Sequence, residues 1–322
     1  MKKTTLWLAM VGALGLAGCG GGGGDSGGGG TTPPEPQPRA LPEAGVYLPV
    51  LMDAQGQLIN RTIDNNYRAA GFVYPTTEGR RWAFRIDEKN GSSNTYAFPS
   101  GDAPLNQAAQ VVLSGPVIRD GVVKSYLNPW LVINSDALLS QRSISNQPLW
   151  VLDYQKAPYR IDGAPVFQNW GGQIALRPMP TDIIATNDWY ERGANAKDGE
   201  LFDWLRTEKS NNGQGIKLTI KFFGENCYVT GETAGNISGL NKLTLTGWNS
   251  GCTFTDNAPN DGKEFERVWK ISMAKFAENN TKVTAYLAMK PATNGQPETL
   301  LLGIPEISDP MPFFLEVQPY QP

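Results

Sequence analysis

Carboxylates, hydroxyls, lysines and tyrosines are left to do chemistry in this chain of 322 residues, because it contains no histidine. Ser-His-Asp and Cys-His catalysis are excluded, and the commonest ligand of zinc, copper and non-haem iron is missing. Four acids, Asp153, Asp162, Asp188 and Glu191, stand beside or within three residues of an aromatic residue. Two carboxyl groups held at the right separation, one with a raised pKa, can hydrolyse a glycosidic bond. Linear spacing does not reveal that separation, and a solvated surface acid is the ordinary reading of each. Ser272-Met273-Ala274-Lys275 has the Ser-x-x-Lys spacing in which a lysine eases removal of a nucleophile's proton. The Ser-Asp-Asn and Lys-Thr-Gly motifs that accompany such a nucleophile are absent from the chain. Asp256-Asn257-Ala258-Pro259-Asn260-Asp261-Gly262 is rich in oxygen ligands, but aligning its glycine with the sixth position of a calcium loop puts Pro259 where a ligand belongs. An Asx-type turn accounts for it better. No catalytic residue, metal or cofactor is assigned on these grounds.

Binding needs less than catalysis. The chain has 9 Trp, 11 Tyr and 12 Phe. Asn169-Trp170-Gly171-Gly172 and Gly247-Trp248-Asn249-Ser250 each set an indole in polar, glycine-rich surroundings, where it could stack on a sugar or a protein partner. A loop tryptophan also commonly folds back over a core edge. Trp170 and Trp248 are therefore the candidate ligand contacts, with that alternative beside them.

The elements that must position these residues are mostly strands. From Gly45 onward the segments are short, rich in β-branched and aromatic residues and separated by turn signals. Val46 to Leu51 is followed by the turn Asp53-Ala54-Gln55-Gly56, then by Tyr67 to Tyr74 and the alternating Trp82 to Ile86. Asp120-Gly121 predicts a tight hairpin. Trp130 to Ile133 and Leu149 to Leu152 read as buried strands, and Ile216 to Ile220 and Lys242 to Thr246 as half-buried ones. Two helices are expected, a short one over Ser135 to Arg142 and a longer one over Asp198 to Lys209, whose Leu201, Phe202, Trp204 and Leu205 make an apolar stripe. Phe265 to Ala277 fits either period. A strand is favoured there, because Asn279-Asn280-Thr281 would turn it into Val283 to Met289 and Leu300 to Ile304 as a meander. The expected fold is mainly β. It has two small antiparallel modules, barrel- or sandwich-like, at 45–180 and 213–322, with one or two short helices and a helical junction at 181–212.

The N-terminus carries an address. Lys2 and Lys3 precede an apolar run from Leu6 to Ala17, too short to span a bilayer as a resident helix and the length of a signal-peptide core. The ending Leu16-Ala17-Gly18-Cys19 resembles the lipobox of bacterial lipoproteins. The resemblance implies removal of residues 1–18, lipidation of Cys19 with several acyl chains, and stable membrane anchoring. With Gly20 in place of the aspartate that retains such proteins in the inner membrane, it implies the outer membrane, at its periplasmic face or at the cell surface. Residues 19–44 are rich in glycine and then proline, which predicts a disordered tether with a reach of roughly 25 to 30 Å. Removing Lys2 and Lys3 from the 28 basic residues leaves 26 against 31 acidic ones, a net charge of −5. That balance argues against a nucleic-acid partner. With Cys19 lipidated, Cys227 and Cys252 form an even pair in an exported chain, which reads as a disulfide.

The run Cys227-Tyr228-Val229-Thr230-Gly231, then Asn241 to Leu245, then Gly251-Cys252 resembles a pattern of uncharacterised bacterial lipoproteins built from small β modules. That likeness implies a disulfide clipping adjacent strands or a strand to a loop, and no activity. Two functions follow as expectations. The first is a non-enzymatic envelope or surface module, held to the membrane through Cys19, that binds a protein or glycan. The second is a carboxylate-dependent hydrolase of envelope glycan.

Overall fold

The computed structural model describes residues 41–319 apart from 61–66, 78, 91, 100–107, 115–117, 120–121, 124–129, 155–169, 192–200, 223–225, 255–263, 294–295 and 308–312. Cys19, the expected tether before residue 41, Asp162, the segment 256–262 and the Glu191 side chain lie outside the described residues. Ala40–Pro322 is one compact unit, and within it period-two alternation builds two antiparallel sheets.

The first sheet uses β1 (Gly45–Asp53), β2 (Tyr67–Pro75), β3 (Arg80–Asn90), β4 (Ser92–Pro99) and β5 (Ala108–Ser114). A small ribbon follows, β6 (Ile118–Arg119) with β7 (Val122–Val123), in which Arg119 pairs with Val122 as the Asp120-Gly121 signal predicts. The sheet then resumes with β8 (Trp130–Ile144), β9 (Gln147–Tyr154) and β10 (Trp170–Pro178). Its order is β1-β10-β9-β8-β5-β4-β3-β2, and β1 also pairs with β2, so the sheet closes into a barrel. The short helix expected over Ser135 to Arg142 is instead part of β8. This stretch is hydrogen-bonded to β9 from Ala137 to Ile144, and its earlier part to β5, and that pairing overrides local propensity.

The second sheet consists of β11 (Asn187–Glu191), β12 (Phe202–Lys209), β13 (Ile216–Phe222), β14 (Tyr228–Glu232), β15 (Asn241–Leu245), β16 (Val283–Lys290), β17 (Thr299–Ile304) and β18 (Phe313–Pro319). Its order is β14-β13-β12-β11-β18-β17-β16-β15. The sheet is rolled far enough for its two edge strands to meet, through bridges Thr230 to Thr246 and Thr233 to Leu243. Residues expected to form a helical junction thus supply strands of the second barrel. The stripe Leu201, Phe202, Leu205 misled because a β-bulge between Phe202 and Trp204 inserts one extra residue and breaks the alternation into a spacing that imitates a helix.

Between β15 and β16 lies α1 (Glu264–Glu278), where the sequence favoured a strand. Exposure decides the period. A strand would put Trp269, Ile271 and Met273 on one face, yet Trp269 and Met273 are buried while Ile271 is 52 % exposed. The stretch contains no glycine or proline, has acids in its first turn and Lys275 in its last, and so suits a helix. Trp269 and Met273 join the buried residues of the second barrel, with Phe276 and Ala277 packed against them.

The barrels meet along their outer faces. Val46, Ala70, Phe72, Tyr74 and Ala83 of the first pack on Tyr286, Ala288, Leu301 and Phe314 of the second. The intervening residues Val73, Trp82, Phe84 and Ile86 point the other way, into the first barrel, and are fully buried. Phe72 meets Phe314 edge-on at 5.0 Å and Tyr74 lies 5.0 Å from Tyr286. Gly303 is required here, since a Cβ on it would lie 2.7 Å from the Phe72 ring and closer still to the Tyr74 hydroxyl. Gly303→Val should therefore overpack the seam and cost about 1 to 3 kcal/mol. Calorimetry of the variant checks this, and an unchanged melting temperature would contradict it.

Candidate functional site

The outward face of β11 to β14 gathers residues that recognition uses. Alternation along β12 turns Leu205 and Thr207 inward and Arg206 and Glu208 outward. The bulge upstream leaves Asp203 and Trp204 both half-buried, so neither is absorbed into the core. On β13, Lys221 pairs in register with Trp204 and with Tyr228 of β14, which brings all three to one patch. Trp204 and Tyr228 have ring centroids 6.3 Å apart at 54°, and the Arg206 guanidinium lies 5.0 Å from the Trp204 ring. Tyr228 is 45 % exposed. Lys221 is ion-paired with Asp203.

Asp188 of β11 completes the patch. Its two carboxylate oxygens accept from Arg206 Nε at 2.6 Å and Nη2 at 3.0 Å, a bidentate pair that fixes the guanidinium over Trp204. The hydrogen bonds from Arg206 hold the Asp188 carboxyl below its ordinary value, against the opposing effect of burial. A group whose folded pKa is depressed contributes stability above its unfolded pKa and loses it as pH falls through the folded one. Asp188→Asn should accordingly melt slightly earlier than the parent at neutral pH and together with it in acid below both pKa values. Melting curves at the two pH values test that, and the effect is small because the pair is solvent-screened.

A tilted aromatic pair rimmed by a fixed guanidinium and charged neighbours can stack on a sugar face or a peptide side chain, and offers hydrogen bonds at its edge. The hydrogen bonds from Arg206 favour the ionised form of Asp188, the opposite of the raised pKa that the proton donor of a glycosidase needs. Asp153 lies on the first barrel, where its Oδ2 accepts from Arg142 Nη2 at 3.2 Å and from Gln173 Nε2 at 2.9 Å. The structure therefore does not bring Asp153 and Asp188 together. Ser272 and Lys275 sit one turn apart on α1, half-buried and exposed respectively. Among the described residues no three His, Cys, Asp or Glu side chains converge as a metal site.

Trp170 and Trp248 are not surface contacts. Trp170 is 4 % exposed and its indole N–H donates to the Gln173 carbonyl at 2.8 Å. Trp248 is completely buried against Phe222, Phe254 and Phe276. Gly247, at φ 99°, lets the chain turn Trp248 back into the barrel. Beside it Cys227 and Cys252 form the expected disulfide across 25 residues. It fastens the end of β14 to the loop that follows β15. Trp204 and Tyr228 face outward instead, although the sequence places them on a core stripe and in a cysteine motif. The alternation of Leu205, Arg206, Thr207 and Glu208 was the signal that put Trp204 outside.

A solved structure of the same architecture is the Aeromonas veronii immune modulator A. It matches with a TM-score of 0.61 over 87 % of this chain and 95 % of its own, at 18 % identity. The likeness is one of fold. No family model matches the sequence, and no curated protein does.

Proposed function

We propose that this chain is an outer-membrane lipoprotein whose β body is a non-enzymatic binding module for an envelope or surface protein or glycan. The lipobox ending at Cys19 and Gly20 supports the address. The observation that carries the binding role is the outward-facing pair of half-buried Trp204 and exposed Tyr228, with Arg206 over the indole. Hydrolysis is the weaker reading, because Asp153 and Asp188 are each engaged by an arginine on separate barrels. The name of the structural neighbour speaks for neither reading.

The test uses the unlipidated chain from Gly20 onward in pull-downs and on a glycan array. Trp204→Ala and Tyr228→Ala should each weaken capture about tenfold or more, with little change in melting temperature, since exposed aromatics dominate such contacts. Undiminished binding in both variants would remove this face from the proposal, and turnover of any polymer would overturn the non-enzymatic role. For the address, mass spectrometry of the membrane-extracted N-terminal peptide should find acylated Cys19.

A further inference from the structure

Exposed apolar side chains scattered singly are ordinary on a protein surface. Ile183 and Ile237, 63 % and 60 % exposed, are not scattered. The link from β10 to β11 and the loop from β14 to β15 run side by side. The Gly239 N–H donates to Thr181 Oγ1 at 2.7 Å, and the Ile184 N–H to Asn236 Oδ1 at 2.8 Å. Thr181 opposite Gly239 and Ile184 opposite Asn236 mark an antiparallel course, which sets Ile183 opposite Ile237. Side-chain amides hold both isoleucines in place. Asn236 Nδ2 donates to the Ile184 carbonyl at 2.8 Å, and Asn241 brackets Ile237, accepting its N–H at 3.0 Å and donating to its carbonyl at 2.8 Å. The apolar surface continues inward through Met179 and Leu240, which pack partly buried on the seam between the barrels.

The Val46 carbonyl, at the start of β1, accepts the Met179 N–H at 2.9 Å. Ile183 follows Met179 by four residues, a stretch of at most about 14 Å. The segment leading from Cys19 therefore joins the body at the end that carries the two isoleucines. The exposed Ile271 of α1 lies elsewhere. That helix connects Leu245 to Val283, which pair at one end of β15 and β16, whereas Asp182 bridges to Met289 at the other end of β16. We propose that Ile183 and Ile237 insert into the acyl layer of the membrane to which Cys19 tethers the chain, a setting that rests on the lipoprotein reading above. Insertion of two side chains is weak by itself. A short flexible tether makes it effective, because it holds the loops near the bilayer at a millimolar effective concentration. Acyl chains and isoleucines together fix the pose of a body that a tether alone leaves free to turn.

A chain beginning at Cys19 tests this independently of acylation in cells. Cys227 and Cys252 are disulfide-bonded, so the Cys19 thiol can be coupled to a maleimide phospholipid in phosphatidylcholine nanodiscs. With isoleucine methyl labelling, a nitroxide on the lipid acyl chains should broaden the resonances of Ile183 and Ile237 and spare that of Ile271. The double variant Ile183→Asn, Ile237→Asn should melt with the parent, since both side chains are exposed. Uncoupled, it should bind phosphatidylcholine vesicles about tenfold more weakly than the uncoupled parent, the equivalent of 1.4 kcal/mol. Equal broadening of the three resonances, broadening of none, or undiminished vesicle binding in the variant would each overturn the proposal. So would a lipid-free dimer that the double variant dissociates, which would assign the pair to a second copy of the chain. Mass spectrometry of Cys19 decides the address separately.

Discussion

Replacing Trp248 with alanine is expected to destabilise the protein by about 3 to 5 kcal/mol, the range for removing a fully buried large aromatic. The side chain has no exposed surface and is enclosed by Phe222, Phe254 and Phe276. Relaxation of the surrounding rings is limited, because the adjacent disulfide holds one wall of the site. Urea unfolding should show a lower midpoint with an unchanged slope. Trp248→Phe should lose much less, since it keeps most of the volume and the indole N–H has no hydrogen-bond partner to forfeit. A loss under about 1 kcal/mol in the alanine variant, below the values for buried aromatics, would mean that Trp248 does not fill the core.

The second large effect belongs to the disulfide. Changing Cys227 and Cys252 to serine releases a 25-residue loop, which on the loop-entropy relation removes roughly 3 to 3.5 kcal/mol. Reductant should lower the melting temperature of the parent and leave the double variant unmoved. A non-reducing peptide map should link the two peptides, and two alkylatable thiols in freshly purified protein would refute the bond. Trp248 and both cysteines belong to one buried cluster. Losses from the two changes should therefore depart from additivity when combined, as is usual for residues that share neighbours.

Strands whose buried and exposed residues alternate without interruption were legible in the sequence. Ile216 to Phe222 and Asn241 to Leu245 alternate cleanly, and Asp53 makes its turn by accepting the amides of Gln55 and Gln57 at 2.9 and 2.8 Å. Asn280, at φ 45°, terminates α1 in the left-handed conformation that asparagine tolerates. The elements that were misread share one cause, an interrupted or doubly covered pattern. The bulge before Trp204 gave β12 the spacing of a helix. In α1, Ile271 imitated a strand face because a helix exposed to water on one side can carry a single isoleucine there. The same effect moved the candidate site. Glycine-rich surroundings suggested that Trp170 and Trp248 face solvent, but local composition does not say whether a loop folds inward. Trp204 faces outward because of a pairing register set by β13, which lies a dozen residues downstream.

Strand order also sets a timetable. The first barrel closes when β1 pairs with β10, so every strand it needs has arrived once residue 178 is available. In the second, β11 pairs with β18, and that strand ends at Pro319. A chain emerging N-terminus first can thus complete one barrel while the other still lacks its closing strand, in keeping with domains folding as units from the N-terminal side. Until β18 arrives, β11 and β17 are both open edges, able to pair with another chain. The interval between these two closures is a stage of biogenesis at which open strand edges favour aggregation.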